Sequence, residues 1–189
     1  MAISEAELLA AFRRLQKPLY NVLYRWLWQA QDCEDLMQDA FLKVWDQRQV
    51  LQVQNLDALI YASALNLAKN RLRWRALWRF GEISPETPTE EGESPGSQAQ
   101  RHQREQALKR VLDGFDRDSR NLVLLSECAG LSTDELVAVF DWPAGTVASR
   151  KHRVLARLRV ELGALGFDES KPIIEAGSHA GERQKGAGA

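Results

Sequence analysis

The chain has 189 residues, 44% apolar and 27% charged, with 25 Lys and Arg against 26 Asp and Glu for a net charge of −1. That suits one or two small folded domains, and no run approaches the roughly 18 apolar residues a bilayer span needs, so neither membrane insertion nor an export leader is expected. Cys33 and Cys128 lack C-x-x-C partners and the three His are scattered, so a metal site or disulfide scaffold is not expected, and a reducing, cytoplasmic setting is.

In chain order, Ser4 with Glu7 fits a capping box, and Leu8, Phe12, Leu15, Leu19, Val22, Leu23, Trp26 and Leu27 recur at helical spacing. Pro18 marks either a kink or a fresh start. A second helix is predicted from about Cys33 to Gln47 with Asp32 as its N-cap, burying Leu36, Met37, Ala40, Phe41, Val44 and Trp45. Its opposite face aligns Asp35, Asp39 and Asp46 with Leu42 and Gln38. An exposed leucine in an acidic stripe suits protein docking, although a solvated acidic face with one stray Leu is common.

A third helix starts after Asn55, buries Leu56, Leu59, Ile60 and Leu67, and runs into a cluster of Lys69, Arg71, Arg73, Arg75 and Arg79. Asn66, Lys69 and Arg73 share a face within about 60°, with Arg71, Arg75 and Arg79 on another ridge. A helix basic on more than one side suits a polyanion. Trp74 and Trp78 extend the apolar stripe, which favours core packing over base stacking.

Residues 81–100 hold three of the six prolines and five acids without a base, and read as a flexible acidic linker reaching to about residue 104. Leu108, Val111, Leu112 and Phe115 then mark one helix, and Leu122 and Leu125 another that stops at Gly130. Ser132 with Glu135 is a second capping box, opening a short helix that ends at Asp141, Trp142 and Pro143. A last helix runs from about Ala144 to Leu162. On it Thr146, Arg150, Arg153 and Arg157 fall within about 60° of one another, apart from an apolar arc of Val147, Val154, Leu155, Leu158 and Leu162. A capped short helix, a tight turn and a basic helix make a helix-turn-helix, whose Arg, Ser and Thr can reach bases and phosphates in the major groove. Residues 166–189 read as a disordered tail. The fold class expected is all-α, with helical domains at 1–80 and 105–165.

The near-zero net charge averages unlike segments. Residues 1–80 carry 11 basic and 8 acidic side chains, 81–100 none and 5, 101–167 carry 11 and 9, and 168–189 carry 3 and 4. Two modestly basic domains thus flank an acidic spacer.

These stretches, in this order, resemble the RNA polymerase sigma factors of the extracytoplasmic-function class. Residues 32–45, DCEDLMQDAFLKVW, are similar to that family's core-binding helix in its second conserved region. Residues 55–73 are similar to its minus-ten and non-template-strand helix, and 105–159 to its fourth region, whose helix-turn-helix reads the minus-thirty-five element. The resemblance implies polymerase contacts at Asp35, Gln38 and Asp39, and the stripe they share adds Leu42 and Asp46. It implies DNA contacts at Asn66, Lys69, Asn70, Arg71 and Arg73, and at Thr146, Ser149, Arg150 and Arg153, with Arg157 added by the face it shares with them. It also implies base capture in the loop from Gln47 to Asn55 and an anti-sigma partner, and with no nucleophile, metal cluster or phosphate loop in the sequence, neither a cofactor nor an enzyme activity of its own is expected. The sequence departs from the family's usual residues at Val137 and Lys151, at Ala148 in place of a frequent Lys, and at Asp141 in place of the turn Gly. Asp tolerates a left-handed backbone better than most residues.

A linker of twenty residues spans at most about 70 Å extended and about 25 Å root-mean-square as coil. Two turns of DNA are about 70 Å, so both elements are reachable only with polymerase holding the domains. The main alternative is an autonomous helix-turn-helix regulator, which would have no need of the Asp35–Asp39–Leu42 stripe.

Overall fold

The computed structural model describes residues 3–51, 53–77 and 95–167. The core of the acidic linker, Trp78, Arg79 and nearly all of the predicted tail lie outside the described residues. Seven α-helices, α1 (Glu5–Leu27), α2 (Ala30–Gln47), α3 (Leu56–Leu77), α4 (Pro95–Asp113), α5 (Arg117–Val123), α6 (Thr133–Phe140) and α7 (Ala144–Ala164), account for the fold, with no strand among the described residues.

Helices α1, α2 and α3 pack side by side on a core of Leu19, Val22, Leu23, Val44, Ile60 and Tyr61, each almost completely removed from water. The Ser4–Glu7 capping box forms as expected. Pro18 neither breaks nor restarts the helix: α1 is assigned as one helix from Glu5 to Leu27 with Pro18 inside it. Phe12 and Phe41 meet edge to face at 5.0 Å between α1 and α2. Arg14 grips both carboxylate oxygens of Asp57 at 3.1 and 2.6 Å, tying α1 to the first turn of α3. Asn55 starts α3 by accepting the Ala58 N–H at 2.9 Å.

Two corrections concern helix starts. α2 begins at Ala30 behind Gln29, which makes no side-chain cap bond, so Asp32 is not its N-cap. Asp32 lies within the first turn and turns to α3, where Arg71 meets it at 3.2 Å and Arg75 also contacts it. A long-range ion pair has taken the carboxylate that local pattern assigned to capping. The expected linker is also shorter than read: α4 starts at Pro95. Proline is well suited to a helix's first position, because its missing N–H is not needed there.

The second half builds its own core from Leu112, Leu122, Leu124, Leu125, Leu136, Val147 and Leu158. Asp116 caps α5 by accepting the N–H groups of Asp118 and Ser119, both at 3.0 Å. After α5 comes a π-helical turn over Leu124–Cys128, with the Ala129 N–H reaching five residues back to Leu124 at 3.2 Å. Gly130, at φ 69°, ends it in the left-handed region, as glycine allows. The Ser132–Glu135 box opens α6, and Asp141 closes it at φ 54° and ψ 40°. The turn thus has its left-handed residue without glycine.

The halves are not separate. α1 packs on the π-helical turn and α3 packs on α6. Trp26 Nε1 donates to Asn121 Oδ1 at 3.0 Å across 95 residues of sequence.

Candidate nucleic-acid and docking interfaces

On α2 the buried arc is Cys33, Leu36, Ala40, Phe41 and Val44, with Met37 and Trp45 half-buried at its edges rather than fully enclosed. The other side presents Asp35, Gln38, Asp39, Leu42 and Asp46, all exposed, with Leu42 58% open to solvent. Their spacing keeps them on one stripe, an apolar anchor within carboxylates.

On α3 the exposed stripe is Asn66, Lys69, Asn70 and Arg73, continued one turn on by Trp74, which is 56% exposed. Core packing was the expectation for Trp74 and the structure overturns it. The inner face of α3 is taken by Ile60, Tyr61, Ala64, Leu65 and Ala68, leaving Trp74 beside the basic groups. Arg71, grouped by sequence with the DNA contacts, is half-buried on the α2 side and held by Asp32. Arg75 joins it there, also donating to the Leu27 carbonyl at 3.5 Å and to Gln29.

On α7 Ser149, Arg150 and Arg153 are exposed and Thr146 is half-buried. The Ser149 hydroxyl donates to the Thr146 carbonyl at 3.1 Å, and Arg153 Nε to the Ser149 carbonyl at 3.3 Å, which holds both side chains along the helix. The Arg150 guanidinium sits 4.3 Å over the Trp142 ring, itself stacked on Phe140 at 4.5 Å. Arg157 differs: it donates to Glu161 at 2.6 Å and to the Gly114 carbonyl at 3.2 Å, and lies 4.6 Å over Phe115. Those contacts turn it toward the α4–α5 junction.

Burial pushes the Cys33 and Cys128 thiols up to about 12, which leaves no reactive thiolate near neutral pH. Among the described residues, no cluster of His, Cys, Asp and Glu is arranged to hold a metal ion, and no helix is long and apolar enough to cross a membrane.

The residues sequence reasoning missed lie where the halves meet. Arg120 is only 7% exposed; it donates to the carbonyls of Arg25 at 2.8 Å and Trp26 at 3.3 Å, and to Asp113 at 2.9 Å. Its guanidinium is 4.4 Å over the Trp26 ring. Arg25 in turn lies 3.7 Å from Glu105, both side chains largely buried. Contacts spanning nearly a hundred residues leave no local pattern, and a Trp in an apolar stripe gives no sign of its N–H partner.

The Sigma-70 region 2 family matches residues 11–77, which span α1 to α3. The RNA polymerase sigma-E factor of Streptomyces coelicolor is 34% identical over 140 residues, covering 72% of this chain and 75% of that protein. The chain belongs to the extracytoplasmic-function class of RNA polymerase sigma factors. The ECF RNA polymerase sigma factor SigE of Mycolicibacterium smegmatis is 28% identical over 143 residues, 75% of this chain and 56% of that one. In fold the sigma factor matches the sigma factor RpoE of Bartonella quintana, solved with the anti-sigma factor NepR. The TM-score is 0.58 at 23% identity, over 84% of this chain and 96% of that one. As a sigma factor it directs promoter-specific transcription by RNA polymerase.

Proposed function

We propose that α2 docks this sigma factor on core RNA polymerase through Asp35, Gln38, Asp39, Leu42 and Asp46. In this reading α3 holds the minus-ten element and opened strand through Asn66, Lys69, Asn70 and Arg73, and α7 reads the minus-thirty-five element through Thr146, Ser149, Arg150 and Arg153. The observation that carries the reading is the exposed Leu42 ringed by carboxylates on one helix, followed directly by the exposed Asn and basic stripe of the next. An apolar anchor inside a charged surround is what a desolvated protein contact requires, and amide and basic groups suit a polyanion.

Arg71 and Arg157 have structural partners, so their part is to position α3 and α7 rather than to reach DNA. Bond making belongs to the polymerase, and the factor works in the cytoplasm, where that enzyme is. An anti-sigma factor holds it in check, a partner supported by the matched RpoE, which was solved bound to NepR. The test is run-off transcription with purified core polymerase on a promoter library. Promoter-dependent starts are expected with the intact factor; none from it would overturn the reading.

A further inference from the structure

Arg150 is the first charged residue of α7, in the second turn of a helix whose opening turns face base edges when a helix-turn-helix docks. Its neighbours on that helix are already committed. Arg153 donates to the Ser149 carbonyl, and Arg157 to Glu161 and the Gly114 carbonyl, whereas among the described residues no carboxylate or carbonyl accepts from Arg150. Arg150 is held by a ring instead, its guanidinium 4.3 Å over Trp142. The ring has little freedom to move. Trp142 follows Asp141, fixed at φ 54° with its N–H on the Val137 carbonyl at 2.8 Å. It precedes Pro143, which locks its own φ and restricts the residue before it to extended backbone. Phe140 stacks on the same indole at 4.5 Å with 24° between the planes.

We propose that Trp142, braced by Phe140, is a positioning residue for upstream promoter recognition, holding Arg150 ready to read one guanine in the major groove. The proposal rests on the assignment of α7 to the upstream element. A cation over an aromatic face is attracted through its charge, so the contact restrains a long side chain without occupying its N–H donors. The fork that guanine O6 and N7 require is left available. An arginine free to sample its rotamers would lose that freedom on binding, and the ring removes part of this cost in advance. Ala148 stands where the family often has Lys, so this end of α7 has no second cation to share the task. Trp142 acts through Arg150 alone, and its loss should be felt at one base pair rather than across the element.

The test is run-off transcription with core polymerase on templates carrying each base in turn at every upstream-element position. Arg150→Ala identifies the position it reads, where a guanine preference of about five- to 150-fold should disappear. Trp142→Ala should lower the preference at that same position by about two- to fivefold, the worth of an exposed cation–π contact, and leave the other positions alone. Trp142→Phe should restore it, whereas Trp142→Leu, which keeps apolar bulk without a ring face, should not. In the double variant, Trp142→Ala should add nothing to Arg150→Ala at that position. The stack is read separately, by NMR of the full chain without polymerase. Arg150 side-chain protons, assigned by their loss in Arg150→Ala, should resonate upfield in the Trp142 ring current and return to ordinary positions in Trp142→Leu. Ordinary positions in the unmutated chain would overturn the platform. So would losses from Trp142→Ala spread evenly over the element, or full preference kept by Trp142→Leu, since either makes the ring a mere apolar wall. Upfield Arg150 protons with no base position altered by Arg150→Ala would overturn Arg150 as a base reader, and the positioning role with it, while the stack stands.

Discussion

Leu42→Ala tests the docking helix. Burying a whole leucine side chain is worth about 1.5–3 kcal/mol, and Leu42 is 58% exposed, so a partner covering it recovers about 1–1.7 kcal/mol. Alanine keeps the Cβ, which leaves an expected loss of about 1–1.5 kcal/mol, a five- to twelve-fold weaker Kd for core polymerase. Because Leu42 contributes little to the core, the variant's melting curve should match the parent's, with stability changed by less than about 0.5 kcal/mol. The assay is competition of labelled and unlabelled factor for core polymerase, run at two salt concentrations. Adding Asp39→Ala should slow association and flatten the salt dependence, as loss of a steering charge at an interface rim does. Unchanged affinity from a folded Leu42→Ala protein would refute the docking assignment.

Three further outcomes are expected. Arg73→Ala should weaken promoter binding by the holoenzyme and reduce the slope of log K against log salt by about one, while Arg71→Ala should leave that slope alone and lower stability through Asp32. Arg153→Ala should relax dependence on the upstream element in transcription from intact and scrambled templates; Arg157→Ala should spare it and cost about 1 kcal/mol of stability through Glu161, Gly114 and Phe115. The Ser132 backbone N–H and hydroxyl hold the Glu135 carboxyl below its ordinary 4.5. A depressed folded value means the cap stabilises above that pH and is lost as pH falls through the lowered value, so Glu135→Gln should flatten the acid side of the unfolding profile. Ser132→Ala should cost about 1 kcal/mol at neutral pH.

Features with local causes were legible from residue order alone. The capping boxes at Ser4–Glu7 and Ser132–Glu135 need only a three-residue spacing, and the apolar arcs of α2 and α7 need only the helical period. The left-handed Asp141 was legible for the same reason, since the turn demanded such a backbone and Asp tolerates it. Asp32 shows where local reading stops. Its place before an apolar stripe fits a cap, but two arginines some forty residues on compete for its carboxylate and take it. Arg71 reads as a DNA contact by family resemblance and Arg157 by helical face, criteria blind to Asp32 and Glu161 as alternative partners. Trp74 continues the apolar stripe of Leu56 and Leu67, which reads inward by period alone, but both of those leucines are only half-buried, and the enclosed face of α3 is that of Ile60, Ala64 and Ala68. The Arg120 junction has no local pattern at all.

The π-helical turn has a consequence of its own. It holds one residue more than an α-turn would between fixed ends, and one helical residue corresponds to a rotation of 100°. The direction in which the helix-turn-helix faces is therefore set by a residue count at Leu124–Cys128. Deleting a single residue there would restore a regular helix, part the Leu131 N–H from the Leu125 carbonyl it now meets at 3.0 Å, and re-aim α6 and α7 together. Side chains in that turn govern how firmly the domain holds; the number of residues governs where it points.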